Sequence, residues 1–229
     1  MDIYSIYDKI KKPMIPLRDD NPSGKTPIIT YLLIGLNSLV FISMLGLSQF
    51  NLKSFYEKYA LTPAFVTSGH LLYTLLTSMF LHGSFGHIIG NMLFLNIFGD
   101  NIEAAFGRIK FLIFYLICGL GASFLQIITD PTSTIPNLGA SGAIAGVMGA
   151  YLVLFPRNEI EVLYDGFGFS RRGTVPAYSM LFYWFIAQLF GGVGSLAVPG
   201  AGGIAFFAHV GGFVTGVIVA KVYKKIKSI

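Results

Sequence analysis

Five long stretches of this 229-residue chain carry no charged side chain, and the longest lie between Lys58 and Asp100 and between Arg172 and Lys221. A helix needs about 20 mostly apolar residues to cross the hydrocarbon core of a bilayer, so each stretch has room for one or two spans. Hydrophobic residues make up 54% of the chain and charged residues only 12%, about half the usual share. The pattern excludes a disordered chain and an ordinary soluble domain, and it predicts a polytopic membrane protein.

We predict an all-α fold, a membrane bundle of six transmembrane helices. The spans are expected at residues 28–48, 84–100, 110–129, 141–156, 176–193 and 203–222. The first apolar run begins only at Ile28, after a polar stretch, and it is too long for the apolar core of a cleavable signal peptide, so we expect it to stay as a span. The chain then divides into an N-terminal segment 1–27, a membrane domain 28–222 and a basic tail 223–229.

The basic residues predict an orientation, because cytoplasmic loops of membrane proteins carry an excess of Lys and Arg. With six spans, all of the 16 basic residues except Lys53 and Lys58 fall on one side. We therefore expect an integral membrane protein of a cell or inner membrane with both termini cytoplasmic. The same distribution accounts for the net charge of +5, so no nucleic-acid partner is expected.

The loops on the opposite side are unequal. The loop 49–83 is long and largely apolar, and it is expected to lie in the membrane interface. The last loop on that side, 194–202, is rich in glycine and proline and is expected to be mobile.

Polar side chains inside a membrane are costly and are therefore candidates for function. His87 and Asn91 lie four residues apart and share one face of the second predicted span, with His82 at its mouth. They either join helices through hydrogen bonds or line a site. No metal or cofactor is expected, because no Cys, Asp or Glu shares that face and the single cysteine, Cys118, excludes a site built on several thiolates.

Ser141 lies in the run Gly139-Ala140-Ser141-Gly142, where the fourth predicted span begins. Glycines let the backbone turn and let other groups approach a serine hydroxyl, whereas the alternative is a serine that only caps the helix. The stretch from Ser141 to Phe155 would make a helix of only ~22 Å, shorter than the ~30 Å hydrocarbon core. The hydroxyl is therefore expected below the external membrane surface.

His209 lies roughly 9 Å into the sixth predicted span, close to the depth inferred for Ser141. Stripes of small residues let helices pack closely. Both spans carry one, after Ser141 at Gly142, Ala145, Gly146 and Gly149 and after His209 at Gly212 and Gly216. We predict that the two spans touch and that Ser141 faces His209; a buried histidine that is satisfied by a backbone carbonyl is the alternative.

These residues form a chemical set. A serine is a weak nucleophile unless a base removes its proton, and His209 is the candidate base. No carboxylate lies inside the spans to orient it, so the sequence implies a dyad in place of a triad. A tetrahedral oxyanion needs hydrogen-bond donors, for which the backbone N–H of Ser141 and the side chains of His87 and Asn91 are candidates.

The sequence resembles the rhomboid family of intramembrane serine proteases in its six-span form, over about residues 28–221. Three motifs in the same order carry the resemblance: His82-Gly83-x-x-x-His87-x-x-x-Asn91, Gly139-x-Ser141-Gly142, and Ala208-His209 followed by Gly211 and Gly212.

The resemblance implies roles for these residues. It makes Ser141 the nucleophile and His209 the general base, with His87 and Asn91 as oxyanion donors. His82 and Gly139 would also line the site. The implied partners are the lipid bilayer and the transmembrane helices of other membrane proteins, cut near the external surface.

Two positions depart from the family pattern. Family members often carry Trp-Arg in the first loop, where this chain has Tyr73-Thr74, so the anchoring of that loop is expected to differ. Some members have a tyrosine four residues after the serine that packs on the histidine. Here that residue is Ala145, so another group must orient His209.

Three other readings remain at this point. An inactive rhomboid-like protein would bind membrane partners without cutting them, but such relatives typically lose the serine or the histidine. A channel or transporter would show paired broken spans, which we do not find. An aspartyl intramembrane protease would need two membrane-embedded aspartates, whereas Asp100 and Asp165 fall in predicted cytoplasmic loops.

Overall fold

The computed structural model describes residues 15–21, 23–166, 169–196 and 205–227. The described part contains three strands and nine α-helices, with a short 3-10 turn at Ser78–Phe80 after α4. In chain order they are β1 (Ile15–Asp19), α1 (Ile28–Leu45), α2 (Gln49–Tyr59), α3 (Pro63–Thr67), α4 (Thr74–Thr77), α5 (Phe85–Phe106), α6 (Arg108–Thr129), α7 (Ser141–Leu154), β2 (Glu159–Gly166), β3 (Phe169–Pro176), α8 (Ala177–Leu196) and α9 (Phe206–Lys227).

Each of the six predicted spans corresponds to a helix, so the helical fold class is confirmed. The helices are α1, α5, α6, α7, α8 and α9, and their ends differ from the predicted ones by a few residues. Among the described residues, three helices are long and apolar enough to cross a membrane, namely α1, α6 and α9, and α7 is a shorter apolar helix. The count of six spans stays a prediction.

Helix α7 lies at the centre of the bundle. Every residue from Gly142 to Tyr151 is buried, as is typical of a helix that is apolar all round. The outer helices are different, because they expose large apolar side chains such as Leu39 on α1, Phe124 on α6 and Ile218 on α9. An apolar surface of this extent indicates contact with lipid.

Glycines bring α7 and α9 together almost backbone to backbone. A Cβ atom built on Gly212 would lie 1.9 Å from the carbonyl oxygen of Gly142, and one on Gly216 would lie 1.9 Å from that of Gly146. No side chain larger than hydrogen fits at either position. The contact between these helices, predicted from their small residues, is present.

The loop 49–83 contains three short helices and the 3-10 turn. The bridge between Leu61 and Asn137 ties it to the segment that precedes α7. Tyr73, at the position that departs from the family pattern, donates from its hydroxyl to the carbonyl of Lys58 at 2.8 Å. The loop predicted at 194–202 falls largely outside the described residues, and with it the prediction of mobility.

A three-stranded antiparallel sheet, in the order β1-β2-β3, is the one departure from a purely helical architecture in the described part of the chain. Ile160 and Val162 on β2 point into the core, while Glu161 between them pairs with Arg18 at 2.6 Å and Arg172 at 3.5 Å. The prediction of six helices assigns no strand to the N-terminal segment 1–27 or to the loop between spans four and five. The alternation of polar and apolar residues in β2 is the signal that predicts a strand there.

Candidate active site

Ser141 and His209 form a hydrogen-bonded pair between α7 and α9. The hydroxyl Oγ of Ser141 lies 2.8 Å from Nε2 of His209, within the range at which a base can take the hydroxyl proton. The close approach of the two helices at Gly142 and Gly212 holds the pair together, since Gly142 directly follows the serine and Gly212 lies one turn after the histidine.

The structure shows which groups these two residues contact. The residue that caps α7 is Ala140, so Ser141 is the first helical residue and its hydroxyl is directed at the imidazole. His209 bonds through Nε2 to Ser141 and through Nδ1 to Gln188, so the interpretation as a histidine satisfied by a backbone carbonyl is wrong.

Gly139 brings the second predicted motif next to the serine. Its φ angle of +129° is one that other residues rarely adopt, and a Cβ there would lie 2.7 Å from Nε2 of His87 and 3.7 Å from Nδ2 of Asn91. Only glycine leaves room for these side chains two residues before Ser141. His87 and Asn91, one turn apart on α5, therefore lie beside the start of α7.

His82 is fully buried and contacts the amide of Asn91. Nδ2 of Asn91 lies 2.9 Å from Nε2 of His82, so one amide N–H donates to the imidazole and the other is left for a different acceptor. The rings of His82 and His87 lie 5.0 Å apart, edge to face. His82 thus contacts Asn91 from the segment before α5, and the four polar residues predicted from sequence (His82, His87, Asn91 and Ser141) converge on one place.

Two residues of α8 that were not predicted from sequence complete the surroundings of His209. The side-chain oxygen Oε1 of Gln188 lies 2.7 Å from Nδ1 of His209, and the ring of Trp184 lies 5.7 Å from the imidazole. The signal for Gln188 was a polar side chain inside the fifth predicted span. Nothing in its spacing tied it to His209, which lies 21 residues further along the chain.

A second polar cluster lies at the other end of α7. We call this end of the helix the sheet end, and we call the end with Ser141 and His209 the dyad end. At the sheet end, Asp19 Oδ2 accepts from the hydroxyl of Tyr151 at 2.5 Å and from Nδ2 of Asn101 at 2.6 Å. Asn158 donates to the Tyr151 hydroxyl at 3.1 Å. Burial raises the pKa of Asp19, and the hydrogen bond from Tyr151 opposes that shift.

The buried carboxylate of Glu103 holds the start of α1 at this end. It accepts from the backbone N–H groups of Ile29 at 3.0 Å and Thr30 at 2.8 Å, and from the Thr30 hydroxyl at 2.9 Å. The first N–H groups of a helix have no partner within it, and no side chain of its own cap satisfies those of α1. Within the described ranges, no group of three or more His, Cys, Asp or Glu residues could hold a metal ion.

A protein-family model described as the Rhomboid domain matches residues 69–226, which is more than half of the chain. The match includes all six of the polar and glycine positions predicted from sequence for the site.

Curated relatives from three organisms agree with that match. The chain is 32% identical over 151 residues to RHOMBOID-like protein 6, mitochondrial, of Arabidopsis thaliana, covering 66% of this chain and 43% of the relative. It is 29% identical over 196 residues to Rhomboid protein 1, mitochondrial, of Saccharomyces cerevisiae, covering 83% and 51%. It is 30% identical over 162 residues to Rhomboid protease GluP of Bacillus subtilis, covering 65% and 31%. The chain thus spans about half or less of the length of these relatives.

Proposed function

Since this chain belongs to the rhomboid family, we propose that it is an intramembrane serine endopeptidase that hydrolyses peptide bonds in or next to the transmembrane helices of other membrane proteins. The observation that carries the proposal is the hydrogen bond of 2.8 Å between Ser141 Oγ and His209 Nε2. Both residues that an inactive relative would typically lack are present and in contact, which favours an enzyme over a binding protein.

The first half of the reaction forms an acyl-enzyme. Nε2 of His209 takes the hydroxyl proton while Ser141 Oγ attacks the carbonyl carbon of the scissile bond, and the carbonyl oxygen becomes an oxyanion. The imidazolium then gives the proton to the leaving amine as the C–N bond breaks. In the second half, His209 deprotonates a water that attacks the ester, and the acid product leaves as Ser141 regains its proton.

The oxyanion is stabilised by donors that the fold holds in place before the reaction. Ser141 is the first residue of α7, where backbone N–H groups lack partners within the helix and the helix dipole favours negative charge. Asn91 offers the amide N–H that does not contact His82, and the imidazole of His87 lies beside it. We assign these three groups to the oxyanion and His82 to the orientation of Asn91.

The protein is an integral membrane protein, and the finer topology is part of the proposal. We propose six spans in a cell membrane or inner membrane, with both termini on the cytoplasmic side. The dyad then lies near the external surface and the sheet end lies at the cytoplasmic surface. The supporting observation is the distribution of basic residues, since only Lys53 and Lys58 lie on the opposite side. The substrates are then helices that enter from the bilayer and are cut near its external face.

Loss of the serine hydroxyl or the imidazole tests the activity. Purified protein in liposomes should cleave at least one of a panel of fluorescent transmembrane substrates, and Ser141→Ala and His209→Ala should each reduce turnover to background. Because the two residues act as a unit, the double variant should be little worse than either single one.

The chain offers matched controls for both changes. Ser179 donates to a backbone carbonyl at the start of α8, and His70 is exposed on the loop before α4, so Ser179→Ala and His70→Ala should keep wild-type turnover. Turnover near the wild-type level in Ser141→Ala would overturn the protease proposal.

Labelling of introduced cysteines tests the orientation. A membrane-impermeant thiol reagent should label Lys53→Cys in intact cells but should leave Lys225→Cys unlabelled until the membrane is opened. The native Cys118 is buried and provides the unlabelled background. The opposite pattern would reverse the side on which substrates are cut.

A further inference from the structure

We propose that Gln188 is the positioning residue of the dyad, which fixes the tautomer and the direction of the His209 imidazole. The inference rests on the proposed function and extends it, since neither the motifs nor the family resemblance assigns a role to this glutamine. Its side-chain Oε1 lies 2.7 Å from Nδ1 of His209, and the opposite ring nitrogen Nε2 lies 2.8 Å from Ser141 Oγ.

The geometry defines where the imidazole proton must be. A neutral imidazole carries one N–H and one lone pair. Since Oε1 of Gln188 accepts hydrogen bonds only, it favours the tautomer in which Nδ1 carries the proton. The lone pair then lies on Nε2, where it faces the hydroxyl of Ser141, which is the arrangement that general-base catalysis needs.

Aromatic packing sets the register that brings Gln188 to His209. The rings of Phe185 on α8 and Phe213 on α9 stack with centroids 4.6 Å apart and an angle of 24°. Gln188 follows Phe185 by three residues, while His209 precedes Phe213 by four, so the two helices run antiparallel. The stacked pair therefore places Gln188 and His209 opposite each other one turn further along the two helices. Trp184 packs against both His209 and Phe213.

An amide suits this place better than a carboxylate. A charged side chain inside a membrane costs several kcal/mol unless it is paired or reaches water. In the resting state His209 is neutral, so a carboxylate beside it would be an unpaired charge. Gln188 supplies an acceptor at the same distance without that cost, and its oxygen still stabilises the imidazolium that forms when His209 takes the serine proton. Gln188 also occupies the role that Ala145, directly after the first turn of α7, cannot fill.

Removal of the acceptor should affect the chemical step more than binding. In Gln188→Leu the proton is free to move to Nε2, which removes the lone pair that faces Ser141. We expect kcat to fall about 10- to 100-fold, part of the ~10²–10⁴ that acid–base catalysis contributes, with KM within about twofold of wild type. Gln188→Glu keeps an acceptor at this position and should retain kcat within about fivefold of wild type.

The matched control is Gln126→Leu. Gln126 accepts from the backbone N–H of Ala208 at 3.2 Å, so it contacts the same helix beside the same histidine without touching the imidazole. This variant should lower the melting temperature at least as much as Gln188→Leu does. Its kcat should fall less than that of Gln188→Leu.

Nitrogen NMR of histidine-labelled protein reads the tautomer directly and does not depend on proteolysis. The chain has four histidines, and the resonances that disappear in His209→Ala identify the one of interest. Wild type should show Nδ1 protonated and Nε2 unprotonated at neutral pH, Gln188→Glu should keep this state, and Gln188→Leu should show proton density at Nε2.

The outcomes separate this inference from the proposed function. A wild-type imidazole protonated at Nε2, or a Gln188→Leu variant with an unchanged tautomer and unchanged kcat, would overturn the role of Gln188. A fall in kcat that is explained by a lower melting temperature, with the tautomer unchanged, would make Gln188 a structural residue. That result would overturn the positioning role as well. Turnover that survives Ser141→Ala would instead refute the protease, while the NMR result would still report on Gln188.

Discussion

The two ends of α7 use buried and part-buried polar groups in different ways. At the sheet end, the carboxylates of Asp19 and Glu103 each accept several hydrogen bonds from neighbouring donors. At the dyad end, two consecutive hydrogen bonds join neutral groups in a linear chain, from Gln188 through His209 to Ser141. One helix of 14 residues, or about 21 Å, therefore separates two clusters with opposite properties.

The difference shows how a membrane bundle can be stable at one end and reactive at the other. A charge that accepts several hydrogen bonds is locked in place, because each bond that is lost leaves a buried group unsatisfied. A chain of neutral groups can pass a proton along it and exchange partners at little cost. The sheet end thus anchors α1, α5 and α7, and the dyad end is free to change during a reaction.

Substitution of Gly212 should disrupt the close contact between α7 and α9 and gives the largest expected effect. In Gly212→Ala the new Cβ would lie 1.9 Å from the Gly142 carbonyl oxygen, which belongs to the backbone and cannot rotate away. Overpacking typically costs about 1–3 kcal/mol and here forces α9 away from α7, so we expect at least ~3 kcal/mol lower stability and loss of turnover. A thermal melt and a cleavage assay measure the two effects.

Gly35→Ala is the control for this change. Nothing lies within 4 Å of a Cβ at Gly35, in the middle of α1, and alanine there should be neutral or stabilise the helix by ~0.5–1 kcal/mol. If Gly212→Ala behaves like Gly35→Ala, the close contact between α7 and α9 is not what holds the dyad.

Asn91→Ala should affect the dyad end alone. Loss of one oxyanion donor typically costs about 10²–10³ in kcat, and the effect should lie in kcat more than in KM because the bond forms mainly in the transition state. If Asn91 only joined helices, its loss should instead lower stability by about 0.6–2 kcal/mol and leave kcat unchanged. Kinetics on one transmembrane substrate, together with a melt, distinguish the two outcomes.

A buried asparagine elsewhere provides the matched control. Nδ2 of Asn37 donates to the carbonyl of Leu33 in its own helix at 2.7 Å, far along the chain from the site. Asn37→Ala should therefore leave kcat unchanged, whether or not the melting temperature shifts. Equal kinetic effects at Asn37 and Asn91 would remove Asn91 from the site.

Glu103→Ala should affect the sheet end alone and gives the smallest functional effect. The start of α1 would lose three hydrogen bonds to a charged acceptor, and such bonds contribute about 1.5–3 kcal/mol each before neighbouring groups relax, so we expect ~2–3 kcal/mol lower stability. The kcat of the protein that remains folded should be unchanged. Glu57→Ala, which removes an exposed pair with Lys53, is the control and should cost under ~0.5 kcal/mol.

A kinetic defect in Glu103→Ala would contradict the separation of the two ends. It would mean that loss of the Glu103 contacts at the sheet end changes the dyad geometry along the full length of α7. The dyad would then depend on the positions of α1 and α5. An unchanged kcat with a lower melting temperature would support the separation of the two ends.

Much of the site could be predicted because its signals are local. Ser141 and His209 are polar residues in apolar stretches, and the glycines after them form stripes that predict a close helix contact. His87 and Asn91 share a face by spacing alone. The sheet was missed because β1 and β2 are far apart in the chain, and the alternation in β2 is short and adjoins charged residues that are also typical of a loop.

The apolar spans and the polar residues within them can be recognised in the sequence alone, because the cost of burying a charge in lipid restricts where such residues can occur. The stripes of small residues predicted the contact between Ser141 and His209, whereas other polar contacts depend on the folded arrangement alone. Gln188 and His209 lie on helices whose register depends on the stacking of Phe185 on Phe213, and Asp19 bonds to Tyr151, which lies 132 residues further along the chain. Contacts of this kind depend on the packing of whole helices, and for Gln188 and Asp19 no spacing or stripe in the sequence identifies the partner.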